Sequence, residues 1–200
     1  MWGRKKQHKK NSESDEEEDD DDIIIHNNHI YFYSDVYTKP IQQLNKAINE
    51  LNEQGNGYSE IWIHINSYGG TVYDALAAVD TIKASPTPII TIIEGMCASA
   101  ATMMSVVGDR RYIRPNSVML IHQLRCGVYG KKDDVIDEMD NVTKLENRLV
   151  DLFVENSKLS KPVFQKMMSR ELEYSAKKCL KMGFVDEIYE GKKSLGKRKR

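Results

Sequence analysis

Short apolar runs rich in β-branched residues alternate with helical segments along the middle of the chain, and this alternation constrains the fold most strongly. Ile61–Ile65 and Ile89–Ile93 are typical of strands buried on both faces, and Thr71–Val79 between them favours a helix. A strand, a helix and a second strand in this order form a β-α-β unit with parallel strands. Because residues 30–122 repeat the pattern, we predict an α/β fold with a mainly parallel sheet.

Charged residues are concentrated at the two ends of the chain. Residues 4–10 are basic, residues 13–22 are acidic and residues 192–200 are basic, although the net charge is only -1. Segments of this kind cannot bury enough apolar surface to order themselves. We therefore predict a disordered basic-then-acidic tail over residues 1–22, one domain over residues 23–190 and a basic tail over residues 191–200.

The cysteines and the apolar stretches indicate the setting of the chain. Cys97, Cys126 and Cys179 are too widely spaced for a metal-ligand cluster or a disulfide framework, which predicts a reducing, intracellular setting that we take to be cytoplasmic. The N-terminal region lacks the apolar core of a secretory signal. Residues 89–107 are largely apolar, but Glu94–Gly95 interrupts them, so we expect a strand, a turn and a helix and not a membrane span.

A candidate nucleophile, Ser99, lies just after one of the predicted strands. The turn signal at Glu94–Gly95 is followed by residues 98–104, which favour a helix, so Ser99 is expected at or near a helix start. Free N–H groups there favour negative charge, and small neighbouring residues leave the hydroxyl accessible. This resembles a nucleophile elbow without its G-x-S-x-G pattern. A lone serine after a turn is more often a simple helix cap.

A candidate general base, His122, follows one strand later. Residues 114–116 signal a turn, residues 117–121 have the pattern of a buried strand, and His122 stands where that strand leaves the sheet. A histidine in this position can activate a serine hydroxyl, although a lone histidine is more often structural. Cys97, two residues before Ser99, is a second candidate nucleophile from the residues alone.

Four motifs, in the same order along the chain, resemble those of the ClpP family, the proteolytic subunits of Clp proteases. In chain order, the motifs are the loop Asn66-Ser67-Tyr68-Gly69-Gly70, then Gly95-x-x-Ala98-Ser99-x-Ala101, then Pro115-Asn116-Ser117 continuing to Ile121-His122-Gln123, and finally Ser175-Ala176 with Gly183–Asp186. The similarity runs from about Ile30 to Tyr189. Tyr68 replaces the proline that the family usually has in its glycine loop.

This resemblance implies a crotonase/ClpP-like spiral of β-α-β units with a handle, a strand-helix extension formed here by residues 125–130 and 133–156. It implies a serine endopeptidase with Ser99 as nucleophile, His122 as general base, and the N–H groups of Gly70 and Ala100 as the oxyanion hole. The family assembles as two stacked heptameric rings around a chamber. A hexameric AAA+ Clp-type ATPase threads unfolded polypeptide substrates into it, and no metal, cofactor or membrane is expected.

The third member of the catalytic triad is not obvious from the sequence. The position at which the family usually has an aspartate is occupied by Met167, and the nearest carboxylates belong to Glu171 and Glu173. We predict Glu171 as the acid, because a glutamate serves where an aspartate does if its longer side chain reaches the histidine.

The sequence leaves three alternative functions open. The missing aspartate favours a non-catalytic scaffold subunit of a mixed ring. So does the N-terminal region, because residues 1–29 do not match the segment that lines the axial pore in the family. Ser99 and His122 oppose this alternative. A crotonase-type acyl-CoA enzyme would share the fold but has no need of a serine–histidine pair. A nucleic-acid binder that uses the basic tails is the least favoured, and it would require salt-dependent retention of DNA or RNA.

Overall fold

The computed structural model describes residues 23–53 and 57–191, which form eight strands and six helices. The strands are β1 (Ile23–His26), β2 (His29–Phe32), β3 (Ile61–Ser67), β4 (Ile89–Ala98), β5 (Arg110–Ile113), β6 (Val118–Leu120), β7 (Glu173–Ser175) and β8 (Glu187–Ile188). The helices are α1 (Thr38–Glu53), α2 (Val72–Ala84), α3 (Ala101–Val106), α4 (Lys132–Glu155), α5 (Lys161–Met168) and α6 (Ala176–Met182). The predicted N-terminal tail, residues 1–22, and residues 192–200 of the predicted C-terminal tail lie outside the described residues.

The sheet is mainly parallel, as the sequence predicts. Its main path runs β1-β2-β3-β4-β5-β8, with β2, β3, β4, β5 and β8 parallel to one another and β1 antiparallel at one edge. β6 branches from this path, pairing in parallel with β4 and antiparallel with β7. Helices connect the parallel strands because such strands require a crossover. The α/β prediction is confirmed.

The sheet and its helices enclose one apolar core. Helix α1 buries Ile41, Leu44 and Ile48, and it packs on α2 and on the first two strands. β3 buries residues on both faces, including His64, which is only 6% exposed. This burial explains why β3 lacks the alternating pattern of a strand with one solvent face.

β4 changes partner along its length. Its first half pairs with β5, whereas Met96–Ala98 pair with β6. The register against β3 shifts between the two halves, which marks a β-bulge. As a result, the last residues of β4 run beside β6, and the two strands end together.

The predicted turn at Glu94–Gly95 is wrong, because these residues form the bulge inside a continuous strand. Gly95 has a φ of 81°, a conformation that favours glycine. Its N–H donates to Ser117 Oγ (2.8 Å), and the N–H of Met96 donates to Asn66 Oδ1 (3.1 Å). Side chains thus satisfy backbone groups at the bulge, and the strand continues.

The handle is present only in part. The long predicted helix is confirmed as α4, whereas residues 121–129, which include the start of the predicted handle strand, form no strand. A strand needs a neighbouring strand to pair its backbone groups, and none lies along this segment in the described part of the chain. The prediction of a handle strand is therefore wrong for the single chain.

Strand β1 was not predicted from the sequence. It pairs with β2 through the two-residue turn at Asn27–Asn28, and Asn27 has a φ of 54°. Asparagine tolerates this conformation and favours tight hairpins. Two asparagines between β-branched runs would have been the signal.

None of the helices in residues 23–53 and 57–191 is long and apolar enough to cross a membrane.

Candidate active site

Ser99 and His122 emerge from the carboxyl ends of neighbouring parallel strands. Ala98 of β4 pairs with Leu120 of β6, and the N–H of Ser99 donates to the Leu120 carbonyl at 2.8 Å. The residues that follow therefore leave the sheet at the same edge, as ligand-binding residues do in open α/β sheets. Ser99 and His122 both line a cavity of about 310 Å³.

The backbone at Ser99 is strained. Its φ is 52°, in the left-handed region that non-glycine residues seldom adopt. The Ser99 carbonyl accepts hydrogen bonds from the N–H (3.0 Å) and hydroxyl (2.5 Å) of Thr102, so the chain turns at once into α3. A strained residue between strand and helix is the geometry of a nucleophile elbow. The expected position of Ser99 just before a helix is confirmed.

The glycine loop packs directly against this elbow. A Cβ at Gly69 would lie 2.6 Å from the Ala98 carbonyl oxygen and 2.7 Å from Ser99 Cβ. A Cβ at Gly70, whose φ is 149°, would lie 2.2 Å from the Val36 carbonyl oxygen. Only glycine allows such close approach. The loop therefore holds its backbone against the nucleophile.

Gly70 and Ala100 also line the Ser99 cavity. The bridge that anchors the loop runs from Val36 N–H to the Gly69 carbonyl (2.8 Å) and from Thr71 N–H to the Val36 carbonyl (2.7 Å). The N–H of Gly70 takes no part in this bridge. Backbone N–H groups in such a position can bind an oxyanion.

His122 is half-buried, and its Nδ1 lies 2.5 Å from the backbone carbonyl oxygen of Gln123. A carbonyl oxygen only accepts hydrogen bonds, so the neutral imidazole carries its proton on Nδ1. Nε2 then keeps its lone pair and has the form of a base. No hydrogen bond joins His122 to the Ser99 hydroxyl among the described residues, and catalytic hydrogen bonds are often longer without substrate.

Glu171 binds Arg125 and is not among the residues that line the cavity. Their side chains form an ion pair and are 60% and 71% exposed. The hydrogen bond and charge of Arg125 lower the pKa of Glu171, and His122 contributes least to this shift. Arg125, but not Glu171, lines the cavity. The assignment of Glu171 as the catalytic acid stays a prediction.

Cys97 is not an accessible nucleophile. Its side chain is fully buried, and burial raises the thiol pKa to about 12. A thiol reacts as the thiolate, which is scarce at neutral pH when the pKa is so high. Between the two candidates, the structure favours Ser99.

The apolar wall of the cavity was not predicted from the sequence. Met103 from α3 and Leu149 and Phe153 from α4 line it, and Tyr68, which is 75% exposed, stands at its edge. The resemblance assigns the helix over residues 133–156 only to the handle. Nothing in its spacing shows that one end of the helix reaches the serine.

A second polar cluster was also missed. It consists of His29, Tyr33, His64, Glu94 and Arg114, and we call it the His64 cluster. His64 Nε2 lies 2.8 Å from His29 Nδ1, and its Nδ1 lies 3.2 Å from Glu94 Oε2. Glu94 also accepts hydrogen bonds from Tyr33 and, at 2.8 Å, from Arg114.

Among the described residues, no group of three or more His, Cys, Asp or Glu side chains is arranged to hold a metal ion. The cavity instead combines a strained serine, an imidazole with a free Nε2 and backbone N–H groups. These are the parts of a serine hydrolase site.

Comparison with known proteins gives the family. The family model described as Clp protease matches residues 12–192. An ATP-dependent Clp protease proteolytic subunit of Deinococcus radiodurans is 32% identical over 151 residues, 74% of each chain. The ATP-dependent Clp protease proteolytic subunit 1 of Chlamydia trachomatis is 29% identical over 163 residues, which cover 80% of this chain and 84% of that protein. The corresponding subunit of Chlamydia muridarum is 28% identical over the same length.

The chain therefore belongs to the Clp protease family. The family match extends over most of the chain, from the N-terminal acidic run to the start of the basic tail. It confirms the predicted family, fold class and enzyme class, a protease.

Proposed function

We propose that the chain is the proteolytic subunit of an ATP-dependent Clp protease and cleaves unfolded polypeptides by serine chemistry. The observation that carries the proposal is the single cavity lined by Ser99, His122, Gly70 and Ala100. The family match and the names of the relatives support it.

In the proposed mechanism, Ser99 Oγ attacks the peptide carbonyl carbon while His122 Nε2 takes the hydroxyl proton. The N–H groups of Gly70 and Ala100 stabilise the oxyanion of the tetrahedral intermediate. His122 then gives its proton to the leaving amine, and the C–N bond breaks to leave an acyl group on Ser99. Water, deprotonated by His122, hydrolyses that ester and restores the serine.

The cavity suggests how a substrate side chain is accommodated. Met103, Leu149 and Phe153 offer an apolar wall beside the nucleophile. An apolar side chain next to the scissile bond would bury its surface there. We therefore propose a preference for apolar residues at this position of the substrate.

We propose that the subunit assembles into two stacked heptameric rings and receives substrates from a hexameric Clp-type ATPase in the cytoplasm. The names of the relatives describe subunits of an ATP-dependent enzyme. The exposed apolar residues Ile136 and Met139 on α4 support assembly through this helix.

The test is hydrolysis of a fluorogenic peptide with an apolar residue before the scissile bond, by assembled wild type and by Ser99→Ala. Wild type is expected to release fluorophore, and Ser99→Ala is expected to retain the same assembly without hydrolysis. Equal hydrolysis by both proteins would contradict the assignment of Ser99.

A second function, a scaffold subunit of a mixed ring, is favoured by one observation. Within the described residues no carboxylate bonds to His122, and Glu171 is held by Arg125. The assembled protein would then fail to hydrolyse peptides alone but would enter rings with an active paralogue. Sedimentation and peptidase assays of mixed subunits distinguish the two functions.

A further inference from the structure

We infer that the main-chain carbonyl of Gln123 takes the orienting place that a carboxylate usually has, which makes Gln123 a positioning residue for His122. This inference rests on the proposed function, because it concerns the base of the same site. It replaces Glu171 as the partner of the imidazole.

The first support is the hydrogen bond itself. His122 Nδ1 lies 2.5 Å from the Gln123 carbonyl oxygen, and a carbonyl selects the imidazole tautomer whose Nδ1 is protonated. This is the tautomer that an aspartate selects in a serine protease. The free Nε2 is left available for the Ser99 hydroxyl.

The second support is that the Gln123 backbone is held in place. Its N–H donates to the Met168 carbonyl at 2.9 Å, at the end of α5. Met168 and Phe164 of α5 are buried in the core. The residue is therefore tied to a packed helix, which fixes the segment that carries the carbonyl.

The third support concerns the side chains that could bond to His122 in place of the Gln123 carbonyl. Glu171 is bonded to Arg125, and both are mostly exposed to water. Met167, at the position of the family's usual aspartate, is partly buried against the core and has no charge to offer. In the described part of the chain, His122 thus has the carbonyl as its hydrogen-bond partner.

The consequence is a functional but weaker base. The carbonyl holds the imidazole throughout and never takes its proton, so Nδ1 stays protonated in every step. It stabilises the imidazolium by its dipole alone, whereas a carboxylate would add a full negative charge.

The test alters the acceptor without changing any side chain. Replacing Leu124 by its α-hydroxy analogue turns the amide after Gln123 into an ester, whose carbonyl is a weaker acceptor. The N–H of Leu124 donates no hydrogen bond among the described residues, so little else is lost. The same replacement at Leu172, which like Leu124 lies outside the helices and strands, is the control.

The readout is the rate at which a fluorophosphonate acylates Ser99 in the assembled full-length protein. We expect the ester at 124 to slow acylation about fivefold, and the ester at 172 to change it less than about twofold. Glu171→Gln is expected to stay within about twofold of wild type, because exposed ion pairs contribute little. A loss of about tenfold or more in Glu171→Gln, with no effect of the ester at 124, would overturn the inference.

A second readout is independent of catalysis. The ¹⁵N spectrum of histidine-labelled protein, with His122 assigned by its loss in His122→Gln, shows which ring nitrogen carries the proton. An Nδ1 proton that is unaffected by Glu171→Gln supports the inference even if Ser99 is not acylated, which would refute only the proposed function. An Nε2 proton, or a signal that shifts in Glu171→Gln, overturns it.

Discussion

Two parts of this molecule combine a histidine, a glutamate and an arginine, and they are built in opposite ways. In the Ser99 site, Glu171 and Arg125 bond to each other in solvent while His122 turns to a backbone carbonyl. In the His64 cluster, Glu94 is largely buried and contacts both the histidine and the arginine.

The difference shows that an acid–base pair does not by itself define an active site. The His64 cluster has the more complete histidine–carboxylate pair, but His29 stands where a nucleophile would have to be. The Ser99 site has a strained nucleophile, a cavity and N–H donors, although its histidine has no carboxylate among the described residues. The candidate active site is therefore recognised by its position at the ends of β4 and β6, and not by its charged side chains.

Removing each histidine in turn is expected to distinguish the two sites by the largest effect. His122→Gln is expected to lower the rate of peptide hydrolysis by about a thousandfold or more, because it removes the proposed base. His64→Gln should change the rate by less than about threefold, since its effect is on stability. A comparable loss of hydrolysis in both variants, with both assembled, would contradict the division into a catalytic and a structural cluster.

The next largest effect is expected from the glycine loop. Gly70→Ala would place a Cβ 2.2 Å from the Val36 carbonyl oxygen at a φ of 149°, so the loop must move away from Ser99. We expect at least about a tenfold loss of Ser99 acylation, because oxyanion donors act only when they are placed correctly. Gly127→Ala is the control, since a Cβ there meets no atom within 4 Å. Full activity in Gly70→Ala would argue against its role in the oxyanion hole.

A smaller effect, on stability alone, is expected from the His64 cluster. Glu94→Gln leaves Arg114 and His64 without their shared carboxylate, which is 18% exposed. We expect a loss of about 1–3 kcal/mol in the free energy of unfolding, measured by urea denaturation. Asp151→Asn removes an exposed ion pair with Lys161 and should cost less than about 1 kcal/mol. Equal costs would show that burial does not distinguish the two pairs.

The smallest expected effect is a pH dependence of that stability. Burial lowers the pKa of His64 below its ordinary 6.5, although Glu94 opposes the shift. The unfolded chain therefore binds more protons just below pH 6.5, and stability should fall as the pH drops through this window. His64→Gln should flatten this part of the stability curve. An unchanged slope in the variant would contradict the assignment.

A further loss is expected at lower pH. Burial opposes ionisation of Glu94, but hydrogen bonds from Tyr33 and Arg114 outweigh it and lower the pKa of the carboxyl below 4.5. The stability that Glu94 contributes is present above this ordinary value and is lost as the pH falls through the lowered one. Glu94→Gln should remove this second slope.

The features that could be predicted from the sequence are those determined by residues close together along the chain. Ser99 and His122 each follow a β-branched run, and parallel strands bring their carboxyl ends to one edge, so the pair was accessible to sequence reasoning. The local sequence at Gly95 predicts a turn and not a bulge, because the side chains that complete the bulge, Asn66 and Ser117, lie far away in sequence.

The partners of the site residues were the hardest to predict. His122 contributes to the lowered pKa of Glu171, but the carboxylate of Glu171 is bonded to Arg125. The spacing of residues in the sequence does not predict this competition. The carbonyl that bonds to His122 belongs to a backbone group that every residue has. Sequence patterns indicate which side chains can take part in a site, whereas this contact depends on the path of the main chain after β6.

Covalent labelling with a fluorophosphonate, followed by peptide mapping, tests directly whether the strand-end cavity is the active site. Wild type, His122→Gln and His64→Gln would be compared as assembled, full-length proteins. The account predicts one label on Ser99 in wild type and in His64→Gln, and its loss in His122→Gln. A label on another residue, or no label on the assembled wild type, would contradict the claim that the strand-end cavity is the active site.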